Sequence, residues 1–194
     1  MPLPLRSSPS CPWRRLGAAC LLAAWGLCAW PAAAGTPPAA DLWHGTVTWV
    51  TDGDTLWIRP TGGGRPRKLR LQGMDAPEIC QSGGPAARDA LAALTLHRPA
   101  TVRTHWRDGW GRPLAVLWVD GQDVAARMVA SGWAWSPRWR RRAGPYALEE
   151  AAARAAGLGI FASTATPEPP SHFRKRHGPC PRPPARAMRH PNGE

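Results

Sequence analysis

From Trp43 to Val50 the chain reads WHGTVTWV, in which bulky or β-branched side chains alternate with smaller ones, the period-two pattern of a strand. DGDT at 52–55 turns the chain, TLWIRP at 55–60 continues it as a second strand, TGGGRP at 61–66 turns again, and RKLRLQGM at 67–74 supplies a third. Three strands this close together, joined by tight turns, read as an antiparallel meander. The period then changes: GPAARDALAALTLH at 84–97 puts Ala87, Leu91 and Leu94 on one face and predicts a helix. TVRTHWRD at 101–108 and RPLAVLWVDG at 112–121 return to strand composition around the turn DGWG. QDVAARMVASG at 122–132 and YALEEAAARAAGLGIF at 146–161 predict two more helices, each ending near glycine. Five strands, one inserted helix and two following helices predict a small closed β-barrel carrying helices, because closure removes the exposed edges of so short a sheet. Trp49, Trp57 and Trp118 fall within strand patterns and are expected in its core.

Charge and cysteine usage divide the chain further. The 194 residues carry 25 Lys or Arg against 13 Asp or Glu, a formal net charge of +12, which favours a polyanionic partner without choosing among nucleic acid, anionic membrane and acidic polysaccharide. Arg6, Arg14 and Arg15 precede an uncharged stretch at 16–30, LGAACLLAAWGLCAW, and small residues follow at Ala32 and Ala34. This is the layout of a secretory signal peptide over 1–34, too short in its apolar run to span a bilayer comfortably. The expectation is cleavage after Ala34, a periplasmic or secreted product, and no stable membrane insertion after cleavage. Only two cysteines then remain, Cys80 and Cys180, and in an oxidising compartment they are expected to pair. Residues 35–41, GTPPAAD, read as a linker, and residues 162–194 as a basic, proline-rich tail running over the surface or disordered beyond Cys180.

Acidic residues are the minority, and five of them, Asp52, Asp54, Asp75, Glu78 and Asp108, fall beside turns of the barrel half. Asp54 and Asp75 end neighbouring strands, so two or three carboxylates can converge on one hard, oxygen-preferring cation. The ordinary alternative is that Asp52 and Asp54 only shape a turn. Arg70 alternates with Leu69 and Leu71 and therefore faces away from the leucine side, toward the acids; Arg112 opens the fifth strand. Guanidiniums near a carboxylate and cation cluster suit phosphodiester hydrolysis, where they neutralise charge growing on phosphorus while a carboxylate orients or deprotonates water. A surface ion-pair network is the competing reading. His44, His97 and His105 lie at non-ligand spacings, which argues against zinc.

Two stretches interleave basic residues with tryptophan, RTHWRDGWGR at 103–112 and WAWSPRWRRR at 133–142. They are candidate walls of a polyanion groove in which Trp106, Trp110, Trp135 and Trp139 stack on bases while arginines take phosphates.

Taken together, DGDTLWI at 52–58, LRLQGMDAPE at 69–78, GWGRPLAVLWVDGQDV at 109–124, MVASGWAW at 128–135 and AAARAAGLGIF at 151–161 resemble the staphylococcal nuclease (thermonuclease) family, over about 120 residues in unbroken order. The resemblance implies a five-stranded oligonucleotide-binding (OB) fold barrel with three helices over 42–161. It implies a calcium-dependent phosphodiesterase that cleaves DNA and RNA to 3′-phosphate and 5′-hydroxyl ends. Asp54 and Asp75 match the calcium carboxylates, Ala76 would offer its backbone carbonyl, and Thr55 sits beside the ion. Glu78 matches the general-base or water-orienting residue, Arg70 and Arg112 the phosphate-contacting arginines, and Asp52 a support for the cation site.

This sequence also departs from the family pattern. Trp110 stands where a substrate-contacting tyrosine is known, Gly109 where a neighbouring lysine is, and Ala125 where an asparagine is common. Base stacking on Trp110 favours single-stranded nucleic acid as partner, and a monomer is expected. A non-catalytic nucleic-acid-binding module of the same fold is the alternative, followed by an envelope-associated structural protein using the basic tail.

Overall fold

The computed structural model describes residues 41–109, 111–138, 140–163 and 166–181. The expected signal peptide, most of the linker, Trp110, Trp139 and the end of the tail lie outside the described residues.

Strands β1 (Asp41–Val50), β2 (Thr55–Pro60) and β3 (Arg67–Leu71) form the expected antiparallel meander. Helix α1 (Gly84–Thr95) leads to β4 (Pro99–Arg107), which pairs with β1, and then to β5 (Pro113–Val119), antiparallel to β4. A parallel pairing of β3 with β5, Arg70 opposite Leu114 and Leu71 opposite Ala115, closes the sheet into a five-stranded mixed barrel. A two-residue strand β6 (Gln122–Asp123) extends β5. This is the OB-like barrel with helices that the alternation predicts.

The interior is built from alternate strand residues: Val47, Leu56, Ile58, Leu69, Leu71, Val102 and Leu117 are fully buried. Three tryptophans expected there lie elsewhere. The pairing of β1 with β2 shifts register between Val47 and Trp49, so Val50 takes the inward place and Trp49 is exposed. Trp57 and Trp118 alternate with core residues and are therefore on the outer face, half-buried, with the Arg103 guanidinium 5.0 Å above the Trp118 ring.

Helix α2 (Val124–Ala130) buries Val124, Ala125, Met128 and Val129. Asp123 caps it, its Oδ1 accepting from the backbone N–H groups of Ala125 (2.9 Å) and Ala126 (3.1 Å), while its Oδ2 accepts from the Tyr146 hydroxyl at 2.9 Å. Helix α3 (Ala147–Ala155) and a 3₁₀ turn (Gly159–Ala162) follow, and Phe161 packs edge-on against Trp135 with ring centroids 5.8 Å apart. Trp135 is therefore a buried core residue and not a wall of a groove. A fourth helix, α4 (Pro170–His177), lies in the tail, beyond the three helices expected. Prolines at its first positions fit a helix start, where a missing N–H costs nothing. Among the described residues no helix is long and apolar enough to cross a membrane.

Candidate active site

The turn before β2 is set by its own acids. The Asp54 N–H donates to Asp52 Oδ1 at 3.1 Å, an Asx turn, and the Leu71 N–H donates to the Asp54 carbonyl at 2.8 Å, tying the turn to β3. Gly53 is required here: a Cβ would sit 2.6 Å from that of Ala76 and 2.9 Å from that of Ala87, so any side chain would drive the turn off the segment after β3 and off α1. Asp54 is consequently buried, and its Oδ1 accepts from the Thr55 hydroxyl at 2.8 Å.

Arg70 stands opposite Thr55 in the β2–β3 ladder, with Leu69 and Leu71 turned into the core on either side. Its Nη2 lies 2.6 Å from Asp54 Oδ2 and 2.6 Å from Asp75 Oδ1. Asp75 is held by its backbone, its N–H donating to the Trp135 carbonyl (2.9 Å) and its carbonyl accepting from the Trp135 N–H (3.0 Å). Glu78 opens a turn into α1: its N–H donates to the Gln81 side chain at 3.1 Å and its carbonyl accepts from the Gln81 N–H at 2.8 Å. Arg112 is fixed by Asp108, whose Oδ1 accepts from the Arg112 backbone N–H (2.9 Å) and whose Oδ2 accepts from Nε (2.6 Å).

These pieces share a cavity of about 660 Å³, lined by Asp52, Asp54, Ala76, Glu78, Asp108 and Gly109 among its acids and small residues, and by Lys68, Arg70, Arg112 and Arg174 as its cations. The sequence-selected residues Asp52, Asp54, Arg70, Ala76, Glu78 and Arg112 are therefore brought together. Asp75 joins them through Arg70, and Thr55 through Asp54. Trp110 lies outside the described residues, and Trp106 is exposed. Cys80 and Cys180 form a disulfide two residues beyond Glu78, with Cα atoms 5.7 Å apart.

Electrostatics mark Asp54 as the strained member. Burial pushes its carboxyl up to about 8, against the opposing pull of Arg70, with Asp52 and Asp75 adding repulsion and Thr55 offsetting part of it. Desolvation lowers Arg70, but Asp54 and Asp75 outweigh it and hold the guanidinium above its ordinary value. The buried carboxylates of Asp54 and Asp75 form a hard oxygen donor set, the chemistry that suits a hard divalent cation such as calcium. Among the described residues no three His, Cys, Asp or Glu side chains converge as a metal site, so Asp54 and Asp75 would be the side-chain ligands and the other ligands must be backbone oxygen, water or substrate.

Arg174, on α4, is the unanticipated member. Its Nη1 donates to Glu78 Oε1 (2.7 Å) and Asp75 Oδ1 (3.1 Å), and its Nη2 to Asp75 Oδ2 (3.1 Å). Desolvation lowers it, and the bonds to Asp75 and Glu78 more than reverse that. The sequence holds a usable signal for it. Pairing Cys80 with Cys180 puts position 180 beside Glu78, and a residue six positions earlier is within reach of the same turn.

The family model described as staphylococcal nuclease homologue matches residues 68–163. An uncharacterized endonuclease of Haemophilus influenzae is 31% identical over 130 residues, covering 67% of this chain and 72% of that protein. Protein ParB of Escherichia coli is 34% identical over 145 residues, 69% of this chain and 80% of its own length. A micrococcal nuclease of Shigella flexneri is 31% identical over 144 residues, 68% and 81% respectively.

Proposed function

The chain belongs to the staphylococcal nuclease homologue family, and from that membership we propose that it is a calcium-dependent nuclease, cleaving DNA and RNA to 3′-phosphate and 5′-hydroxyl ends. The observation that carries the chemistry is Arg70 Nη2 at 2.6 Å from both Asp54 and Asp75, in a cavity that Glu78 and Arg112 also line. Asp54 and Asp75, with the Ala76 carbonyl, would hold the calcium, Thr55 orienting Asp54 and Asp52 shaping the turn beneath it. Calcium supplies fixed positive charge beside the phosphodiester and lowers the cost of charge gathering on its oxygens.

The chain's own residues do the rest. Arg70 and Arg112 grip non-bridging phosphate oxygens with paired donors and stabilise the added charge of the five-coordinate transition state. Glu78 orients the attacking water and takes its proton as the new P–O bond forms. The bond from phosphorus to the 5′ oxygen breaks, and that oxygen takes a proton from solvent water to leave as a 5′-hydroxyl, while the proton on Glu78 returns to solvent. Stacking of an unpaired base on Trp110 favours single strands.

Export to the periplasm or medium, with removal of residues 1–34, belongs to the same reading, and so does a monomeric product. A disulfide between the two remaining cysteines supports it, because such bonds persist in oxidising compartments. Digestion of single-stranded DNA, duplex DNA and RNA with calcium, and with magnesium alone, tests the assignment. Calcium-supported cleavage with 3′-phosphate ends is expected. Products carrying 5′-phosphate would overturn the proposed bond scission.

A further inference from the structure

The C-terminal helix is fastened to the catalytic turn at both of its ends. Before α4, the carbonyl of Glu168 accepts from the side-chain amide of Gln81 at 2.7 Å, and the other end of that amide accepts from the Glu78 N–H. Gln81 is buried. After α4, Cys180 is bonded to Cys80, and the Cys80 N–H donates to the Cys180 sulfur at 3.1 Å. Both anchors therefore belong to the four-residue turn that begins with Glu78. A side chain in the middle of a helix pinned in this way is placed by the fold and not by chance contact. Arg174 is that side chain.

Its surroundings say what it is for. The cavity is lined by four carboxylates and four cations, Arg174 among the latter. Without Arg174 the lining loses one of its four positive charges, facing a substrate that is itself a polyanion. Its bonds to Asp75 and Glu78 use three of its five N–H groups. Its side chain is 37% exposed, as open as the 35% of Arg112 and more open than the 16% of Arg70. Arg70 is thus the deep guanidinium, and Arg112 and Arg174 are the two that a strand entering the cavity meets. The family match ends at residue 163, so this third arginine comes from a part of the chain outside it.

We propose that Arg174 is a substrate-contacting residue that binds a backbone phosphate of a single-stranded nucleic acid, and that the Cys80–Cys180 disulfide and Gln81 make α4 a wall of the site. The inference rests on the nuclease reading for its substrate class, but its test does not need cleavage. Arg174 holds strand and Glu78 performs proton transfer, so Arg174 acts mainly on affinity.

The experiment compares the full chain, disulfide intact, with Arg174→Gln and Arg174→Lys. Binding of a fluorescent single-stranded DNA oligonucleotide is titrated in chelator across a range of salt, and cleavage kinetics are then measured with calcium. Arg174→Gln should weaken Kd and raise KM by about tenfold and lower the salt slope by about 0.7, the loss of one phosphate contact on a single strand. Arg174→Lys should keep the salt slope while losing part of the affinity, because a point charge lacks the guanidinium fork. A purely structural role would move the melting temperature and not the salt slope. An Arg174→Gln protein with wild-type Kd and KM overturns the inference, and so does one that binds or cleaves better than wild type, which would make Arg174 a shield over the carboxylates. A wild-type protein whose binding depends on Arg174 but which cleaves nothing overturns the nuclease reading alone. One that binds no single strand overturns both.

Discussion

Asp108 grips Arg112 twice, through the backbone N–H at 2.9 Å and through Nε at 2.6 Å, so one carboxylate fixes both the start of β5 and the direction of the guanidinium. The pairing leaves both Nη groups of Arg112 outside these two bonds, which is the end needed for phosphate. Arg112→Ala should cost about 10²- to 10³-fold in turnover, the scale of losing one preorganised donor to a developing anion. Asp108→Asn, which keeps the size but weakens the hold, should cost about tenfold, the scale of disturbing a group that orients another. Steady-state kinetics on a defined oligonucleotide check both. Equal losses for the two variants would mean that Asp108 does more than position Arg112.

Burial of Asp54 carries a pH signature. Its carboxyl rises from 3.8 toward about 8 in the folded protein, so between those values the folded state keeps a proton that the unfolded chain has released. The stability associated with this group is fully present below about pH 4 and is lost as pH rises through about 8. In chelator, wild-type protein should lose stability between pH 5 and pH 8 relative to Asp54→Asn, which cannot ionise. Denaturant titrations at the two pH values measure the difference, and parallel pH profiles would show that Asp54 is ionised in the folded state throughout.

Much of this site is legible in the sequence because its residues sit at fixed distances from strand alternation. Once Leu69 and Leu71 are assigned to the core, Arg70 must face the other way, and it meets Asp75. Barrel closure likewise follows from the number and shortness of the strands. Alternation fails where the backbone breaks it: the bulge at Val47–Trp49 turns Trp49 outward, and Trp57 and Trp118 satisfy a strand pattern on either face. Trp135 reads as a ligand platform because it lies among arginines, yet it packs on Phe161, a contact 26 residues away that no local pattern contains. Arg174 is as remote in sequence, and only the pairing of two cysteines 100 residues apart points from the chain to its place beside Glu78.

That bond should matter to stability as well as to the site. Closing a loop of this length restricts the unfolded chain, so replacing Cys80 and Cys180 with serine should cost about 2–4 kcal/mol, the range typical of such bonds, against an upper figure of about 4.7 kcal/mol from chain entropy alone. Thermal unfolding of the oxidised protein and of the double serine variant provides the comparison. Equal melting temperatures would show that the tail is fastened by other contacts.

Gly84 gives a steric test of the Glu78 turn. A Cβ at position 84 would lie 1.9 Å from the Glu78 carbonyl oxygen, whereas at Gly62 it would meet nothing within 4 Å. Alanine is ordinarily the better helix residue by roughly 1 kcal/mol. Gly84→Ala should nonetheless lower both the melting temperature and turnover, because the turn carrying Glu78 has to shift. Gly62→Ala should leave both unchanged. An active, stable Gly84→Ala protein would show that the turn adapts without consequence.

The proposed chemistry requires Glu78 to handle a proton beside a cation held by Asp54 and Asp75. The most direct measurement is the rate of single-stranded DNA cleavage at saturating calcium by wild type and Glu78→Gln, each repeated in chelator. Wild type should cleave with calcium and stop in chelator, and the Gln variant should be slower by about 10²- to 10⁴-fold while unfolding at the same temperature. Cleavage that persists in chelator, or a Gln variant as fast as wild type, would contradict the mechanism.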